Sequence, residues 1–414
     1  MTFPLNPNSA ERHLHESDLP QVDLASREFG GSVIVASDEF FAEKENLIKP
    51  EPAESWKHMK GNRGGVYDGW ETRRRWGRKQ GDDWVIVRLG LPGILREIVV
   101  DTAFFKGNYP ESISVEACAL DPHAWVNEVT SEELEWVEIV PKSKCNGDCE
   151  NQYQVSCGEQ RFTHVRLNIH PDGGVARFRV YGHVVPDPRY LEGLSLDLAA
   201  LENGGLVIEQ NDKFFRPADN LIASDKGWET KRRRTEGNDW FVVKLGAAGY
   251  IKQVWIDTTR FIGNAPEAIS IQAMNASADD WVQSEEWREL MPLTSVQPDT
   301  RHRFIVEDAL QVTHVRLNIY PDGGLKRINL VGYLSEEGKS SMALRWFNLS
   351  TEPHLIKVLA QLGVPESIGA RLVSLRPFQN MTEASAAAEQ LSRYTSSSAV
   401  KAVRKLLFLE PADH

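Results

Sequence analysis

Four cysteines in 414 residues are too few to staple a chain of this size, so its cores must hold without a disulfide framework. No run of about 18 apolar residues exists, which excludes a membrane-spanning helix. Basic residues are in the minority: Lys plus Arg is 47 against 59 for Asp plus Glu, a formal net charge of −12. That balance argues against nucleic-acid binding, which needs a basic footprint, but leaves room for a local basic pocket. The opening Met1-Thr2-Phe3-Pro4-Leu5-Asn6-Pro7 has neither the basic nor the apolar segment of a signal peptide. Glu410-Pro411-Ala412-Asp413-His414 carries no targeting tripeptide. The expectation is a cytoplasmic protein with reduced thiols. P-loop, dinucleotide fingerprint, nucleophile elbow and HExxH motifs are all missing.

What the chain does have is an internal duplication. Thr163-His164-Val165-Arg166-Leu167-Asn168-Ile169-His170-Pro171-Asp172-Gly173-Gly174 returns as Thr313 to Gly324, with only His170 changed, to Tyr320. Gly69-Trp70-Glu71-Thr72 returns as Gly227-Trp228-Glu229-Thr230, and Leu89-Gly90 as Leu245-Gly246. Asp101-Thr102 with Gly107-Asn108 returns as Asp257-Thr258 with Gly263-Asn264. The offset is 174 from Gly30 to Gly204, 156 from Asp83 to Asp239 and 150 from Thr163 to Thr313. Repeat 1 therefore holds extra residues between Ile48 and Gly69, which read as a long surface loop. A period near 150 residues is too long for a solenoid unit and indicates two whole domains of one fold.

The reading divides the chain into an arm at 1–28, repeat 1 at 29–185, a linker at 186–202, repeat 2 at 203–335 and a helical extension at 340–414. Within each repeat the pattern is mostly period two. Trp84 to Leu89, Ile98 to Asp101 and Ser112 to Ala117 read as strands, and Asp172-Gly173-Gly174 as a hairpin turn. Short strands without intervening helices imply antiparallel sandwiches. After residue 340, His354 to Leu362, Glu366 to Leu375, Thr382 to Tyr394 and Ser398 to Leu409 show helical spacing. Asn380 and Ser396 to Ser398 are the expected caps.

The sharpest constellation is Gly-Trp-Glu-Thr-x-Arg-Arg, with Glu71, Arg74 and Arg75 in repeat 1 and Glu229, Arg232 and Arg233 in repeat 2. Adjacent arginines repel unless an anion answers them, and guanidinium grips a carboxylate with two hydrogen bonds. The competing reading is a surface salt-bridge cluster. Asn108 and Asn264 follow glycines in loops, and Asp172 and Asp322 sit in the turns, where ligand approach and plain turn chemistry both fit. His164, His314 and His170 are titratable, and each is equally readable as a structural histidine. Cys145-Asn146-Gly147-Asp148-Cys149 reads as a turn with free thiols rather than a metal site.

The duplicated Gly-Trp-Glu-Thr-x-Arg-Arg, Gly-Asn-x-Pro-Glu and Thr-His-Val-Arg-Leu-Asn-Ile-[His/Tyr]-Pro-Asp-Gly-Gly motifs resemble the allantoicase family over about residues 29–335. The resemblance implies a mainly β chain of two tandem jelly-roll, galactose-binding-like β-sandwich domains, followed here by a C-terminal α-helical extension. It implies hydrolysis of allantoate to (S)-ureidoglycolate and urea in purine breakdown, in a homo-oligomer, with a divalent metal in keeping with the family although no compact ligand set is visible. Under it, Glu71, Glu229, His164, His314 and His170 are the candidates for proton transfer. Arg74, Arg75, Arg232, Arg233, Asn108, Asn264, Asp172 and Asp322 are the candidates for holding substrate. The repeats differ at His170/Tyr320, Trp76/Arg234 and Lys106/Ile262, so one can be catalytic and the other supporting, or the two can share a pocket at their interface. A tandem carbohydrate-binding protein and a scaffold are the competing functions; a neutral sugar gives no reason for paired arginines. Deleting residues 340–414 is expected to leave specific activity intact.

Overall fold

A computed structural model describes residues 20–55, 60–61, 64–75, 81–191, 193–223, 226–276, 286–307 and 310–407. Trp76 lies outside the described residues. Two compact units are present: Gln21–Tyr190 joined by Ser340–His414, and a second built from Leu191–Lys339.

In repeat 1 one long strand, Asp83–Asp101, serves both layers of a β-sandwich. Its first half pairs with Arg161–His170 and Ser32–Ala36. Ser112–Cys118 and Val137–Lys144 extend that layer. Its second half pairs with Arg177–Val184 and Glu150–Gln154. Every pairing is antiparallel, and alternate residues such as Val85, Val87, Val165 and Leu167 are fully buried.

The sequence pattern broke this strand in two because Gly90-Leu91-Pro92-Gly93 interrupts the alternation. The backbone instead bends there and continues. At Gly90 a Cβ would lie 2.4 Å from the Phe29 carbonyl oxygen, so only glycine allows the neighbouring chain to cross the corner. Repeat 2 uses the same device in Asp239–Asp257, where Gly246 approaches Asn203. Its layers repeat those of repeat 1, with Gln311–Tyr320 and Arg327–Leu334 in the places of Arg161–His170 and Arg177–Val184. Ladder pairing also reaches beyond the expected repeat bounds. Val22–Asp23 pairs with Tyr181 and Gly182, and Leu196–Asp197 with Val331 and Gly332.

The C-terminal residues form five helices: Glu336–Leu349, Glu352–Gln361, Glu366–Val373, Met381–Leu391 and Ser397–Leu406. Asn380 accepts from the Glu383 N–H and Ser396 from the Ala399 N–H, the capping expected from sequence. The first of the five went unread because its buried Met342, Ala343, Trp346 and Phe347, though at helical spacing, make a stripe of little more than one turn. The helices share a core of their own and join repeat 1. Arg345 donates to the Val184 carbonyl, and the Arg189 guanidinium lies 4.9 Å from the Trp346 ring centre. Among the described residues no helix is long and apolar enough to cross a membrane.

Candidate active site

The site begins with a two-residue ladder. Trp70–Glu71 pairs with Gly174–Val175, so the Gly-Trp-Glu-Thr segment lies directly against the Pro-Asp-Gly-Gly turn. Trp70 is fully buried and its indole N–H donates to the Asp38 carbonyl at 2.7 Å, which fixes the segment and leaves Glu71 facing the other way. Thr72 bonds Gly173 through its backbone N–H at 3.1 Å, and its hydroxyl accepts from the Gly173 N–H at 3.2 Å. Gly173 has φ +144°, and a Cβ there would lie 2.7 Å from the Pro110 nitrogen. The turn therefore also abuts the Gly107-Asn108-Tyr109 loop, and the Gly174 N–H donates to the Asn108 carbonyl at 2.7 Å.

These three segments line a cleft of about 1220 Å³, with Glu71, Arg74, Lys106, Asn108, Lys144 and Asp172 among its polar walls. Asn108 Nδ2 donates to Glu71 Oε1 at 2.8 Å. Burial pushes the Glu71 carboxyl above its ordinary pKa, while the Asn108 hydrogen bond and the nearby Arg74 charge pull against that rise. Tyr67 and Gly65, from the extra segment of repeat 1, form part of the wall. Tyr67 stacks on Phe105 with ring centres 4.7 Å apart.

The paired arginines divide their work. Arg75 donates to the Asp83 carboxylate at 2.6 Å and the Asp82 carbonyl at 3.0 Å, and its backbone N–H donates to Asp172 Oδ2. Its guanidinium thus answers a carboxylate that is 1% exposed. Arg74 is exposed at the cleft. Repeat 2 reproduces the plan: Arg233 pairs with Asp239, its N–H donates to Asp322 at 2.8 Å, and Arg232 is exposed. Asn264 Nδ2 donates to Glu229 Oε1 at 2.8 Å.

The histidines are placed elsewhere. His164 is 1% exposed in the middle of a strand, six residues before His170, which separates it from the turn by ~20 Å along the backbone. Its Nδ1 lies 2.9 Å from the Thr163 hydroxyl, and burial holds its pKa down at about 4. His314 repeats this with Thr313, also at about 4. Both are buried on the face of their layer turned away from the sandwich core, opposite Cys118 and Met274, and so far along the strand they do not reach the cleft. His170 sits between Ser114 Oγ at 3.1 Å and Asp82 Oδ2 at 2.7 Å, behind the turn rather than on the cleft wall.

Sequence reasoning passed over Tyr67, Tyr109, Glu111 and Lys144. Glu111 had a signal, as the last residue of Gly-Asn-x-Pro-Glu. Lys144 had none, being one of two lysines in the half-exposed strand Val137–Lys144. Among the described residues no three His, Cys, Asp or Glu side chains are gathered to hold a metal ion, so the divalent ion raised by the resemblance finds no donor set there. All four cysteines are free thiols, and burial raises Cys145, in the cleft wall, to about 11.

The family profile described as Allantoicase repeat matches residues 22–185 and 196–335. A protein of Streptomyces coelicolor named probable allantoicase is 44% identical over 347 residues, covering 80% of this chain and 90% of that one. The allantoicase of Dictyostelium discoideum is 40% identical over 322 residues, covering 74% of this chain and 86% of its own. The crystal structure of allantoicase from Saccharomyces cerevisiae superposes with a TM-score of 0.61 at 36% identity, covering 77% of this chain and 94% of that one.

Proposed function

The chain belongs to the allantoicase family, hydrolases that release urea from allantoate, and we propose that the cleft of repeat 1 is where that cleavage occurs. The observation that carries this reading is the half-buried Glu71, held by Asn108 beside Arg74 in a cleft that the repeat 1 insertion helps to wall.

Allantoate carries one carboxylate and two ureido groups on a single carbon. Arg74 grips the carboxylate, with Lys106 and Lys144 adding positive charge around it. Binding has a useful consequence. The Arg74 charge holds the Glu71 pKa down, and a substrate carboxylate that neutralises Arg74 lifts this restraint. Substrate binding thus favours the protonated form of Glu71.

Urea nitrogen is a poor leaving group and needs that proton. As the C–N bond breaks, Glu71 gives its proton to the departing nitrogen, and the lone pair of the remaining ureido nitrogen forms a C=N bond to the central carbon. Water then adds to this carbon, its oxygen forming the new C–O bond, and its proton returns to the Glu71 carboxylate. Allantoate and one water become ureidoglycolate and one urea, and Glu71 ends in its starting state. Asn108 fixes which carboxyl oxygen faces the substrate.

Repeat 2 keeps the Glu229–Asn264 pair but lacks the extra segment that supplies Tyr67, so it supports the fold rather than the reaction. We place the enzyme in the cytoplasm, in keeping with its four free thiols, and as a homo-oligomer, a state that light scattering on the purified protein measures. Urea release from allantoate by Glu71→Gln and Glu229→Gln variants tests the assignment. Full turnover in Glu71→Gln removes Glu71 from the mechanism; loss in Glu229→Gln alone moves the reaction to repeat 2.

A further inference from the structure

The two repeats share one scaffold behind the Glu–Asn pair and differ in what it carries. In repeat 1 the turn Cys145-Asn146-Gly147-Asp148-Cys149 is tied to the loop that holds Asn108. The Thr102 hydroxyl lies 2.7 Å from the Asn146 carbonyl and 3.0 Å from that of Cys149, and the Phe104 N–H donates to the Asp148 carboxylate at 2.7 Å. Repeat 2 has the same ties. The Thr258 hydroxyl lies 2.6 Å from the Gln297 carbonyl and 3.0 Å from that of Thr300, and the Arg260 N–H donates to the Asp299 carboxylate at 2.8 Å. These equivalent bonds set Gly147 against Pro298, and the matching loops set Tyr109 against Ala265.

The two differences are one physical change. A Cβ on Gly147 would lie 2.3 Å from Tyr109 Cδ1 and 2.4 Å from Cε1, so the tyrosine ring rests against the glycine backbone. A side chain at position 147 would push the ring away. Repeat 2 fills the turn position with proline and has no ring to seat. The turn between Cys145 and Cys149 thus has a packing task in repeat 1: it fixes an aromatic ring beside the cleft.

Tyr109 follows Asn108 directly and lines the same cleft as Glu71 and Arg74. It is half-buried, and among the described residues its hydroxyl has no hydrogen-bond partner. A phenol donates and accepts a hydrogen bond without carrying charge. A ureido group is its match, neutral and equipped with both N–H donors and a carbonyl acceptor, whereas a carboxylate is better met by a cation. A ring already held in place loses little freedom when it binds.

We propose that Tyr109 is a specificity-determining residue of the cleft, its phenol receiving the ureido group that stays on the substrate and Gly147 holding the ring in position. This rests on the assignment of cleavage to the repeat 1 cleft. Glu71 serves the departing ureido group. The remaining one must be held while its nitrogen lone pair forms the C=N bond, and Ala265 offers repeat 2 no group for that contact.

The test is competitive inhibition of urea release by the full-length protein. Hydantoate, with one carboxylate and one ureido group, is one inhibitor; butyrate, a carboxylate with an apolar tail, is the other. Tyr109→Phe keeps the ring and removes the hydroxyl. It is expected to weaken hydantoate by about three- to tenfold, the range for one hydrogen bond, and to leave butyrate within about twofold. Gly147→Ala is expected to weaken hydantoate as well, and to add less than about twofold in a Tyr109→Ala background. Arg74→Gln, expected to weaken both inhibitors, separates this inference from the assignment beneath it. Hydantoate weakened by Arg74→Gln but not by Tyr109→Phe overturns the role of Tyr109 alone. Hydantoate unchanged by either variant, or without effect on the parent enzyme, overturns the assignment of the cleft and the role of Tyr109 with it. Equal weakening of both inhibitors by Tyr109→Phe marks a packing role and overturns the proposal, and full additivity of Gly147→Ala with Tyr109→Ala removes Gly147 from it.

Discussion

Asn108 donates its side-chain amide to Glu71 Oε1 across 2.8 Å, and Asn264 does the same for Glu229. The hydrogen-bond distance is the same in both repeats. Burial raises the pKa of Glu71, which keeps more of its carboxyl in the protonated form that a general acid needs. Glu71→Gln is expected to lower kcat by about 10²–10⁴-fold, the range for loss of a general acid, with KM little changed. Asn108→Ala is expected to lower kcat by a smaller factor, since the acid remains but its orientation is lost. Urea release under saturating allantoate measures both.

The charge of Arg74 restrains the Glu71 pKa, so removing it has a predictable sign. If protonated Glu71 is the active form, kcat/KM falls as pH rises through the Glu71 pKa. Arg74→Gln raises that pKa and moves the falling limb to higher pH, while KM for allantoate rises at least about tenfold from loss of a charge-assisted contact. An unshifted limb with raised KM separates carboxylate binding from proton control and sinks the second idea.

Arg75 predicts the opposite kind of loss. Its removal strands Asp83, 1% exposed, with the Ser37 hydroxyl as its one remaining side-chain partner among the described residues. Arg75→Ala is expected to destabilise the fold by about 3 kcal/mol, the lower end for breaking a buried ion pair. Arg74→Ala is expected to stay within about 0.5 kcal/mol, as for exposed positions. Urea denaturation of the two variants decides this directly.

The duplication made the sandwich legible, because Asp-Gly-Gly turns and alternating strands carry their own geometry. It also pointed to Glu71 and Arg74, whose residue types have few reasons to recur together. It could not separate Arg74 from Arg75. That distinction depends on Asp83, which sequence places eight positions from Arg75 with no sign that the chain folds back. His164 misled for a related reason. Strand alternation placed it on the face of Arg166 and Asn168, where it does lie, but nothing local revealed that this end of the face is covered. Tyr67 was hidden in an insertion whose only sequence signature was its excess length.

Deleting the helical extension is expected to leave specific activity intact, but its packing predicts a cost in stability. Arg161, 4% exposed, donates to the Val185 carbonyl at 2.8 Å and forms a bridge to Ser350 of the extension, and burial lowers its pKa to about 10. Removing residues 340–414 exposes this surface together with the rim beside Arg189. The shortened protein is expected to unfold at a lower temperature than the full chain and to lose soluble yield. Calorimetry on both forms measures the shift, and an unchanged transition for repeat 1 shows the extension to be a passenger.

Three buried histidines set the acid limit of stability. His164, His314 and His354 are each held at about 4 by burial, against an ordinary value of 6.5. The unfolded chain therefore takes up their protons first as pH falls. Their contribution is fully present above pH 6.5 and is lost between 6.5 and 4, at up to about 1.4 kcal/mol per pH unit for each histidine. Asp23, Asp101 and Asp197 act in the other direction, since burial raises their carboxyl pKa above 3.8 and protonation favours the folded form. They offset part of the histidine loss, and the slope is read over the interval from 6.5 to about 5, just below the ordinary histidine value. Urea midpoints measured across that interval are expected to fall steadily with pH. His354→Gln, in the extension, is expected to flatten the slope by roughly one histidine's share, even if the variant starts less stable. A slope identical to that of the parent removes His354 from the account.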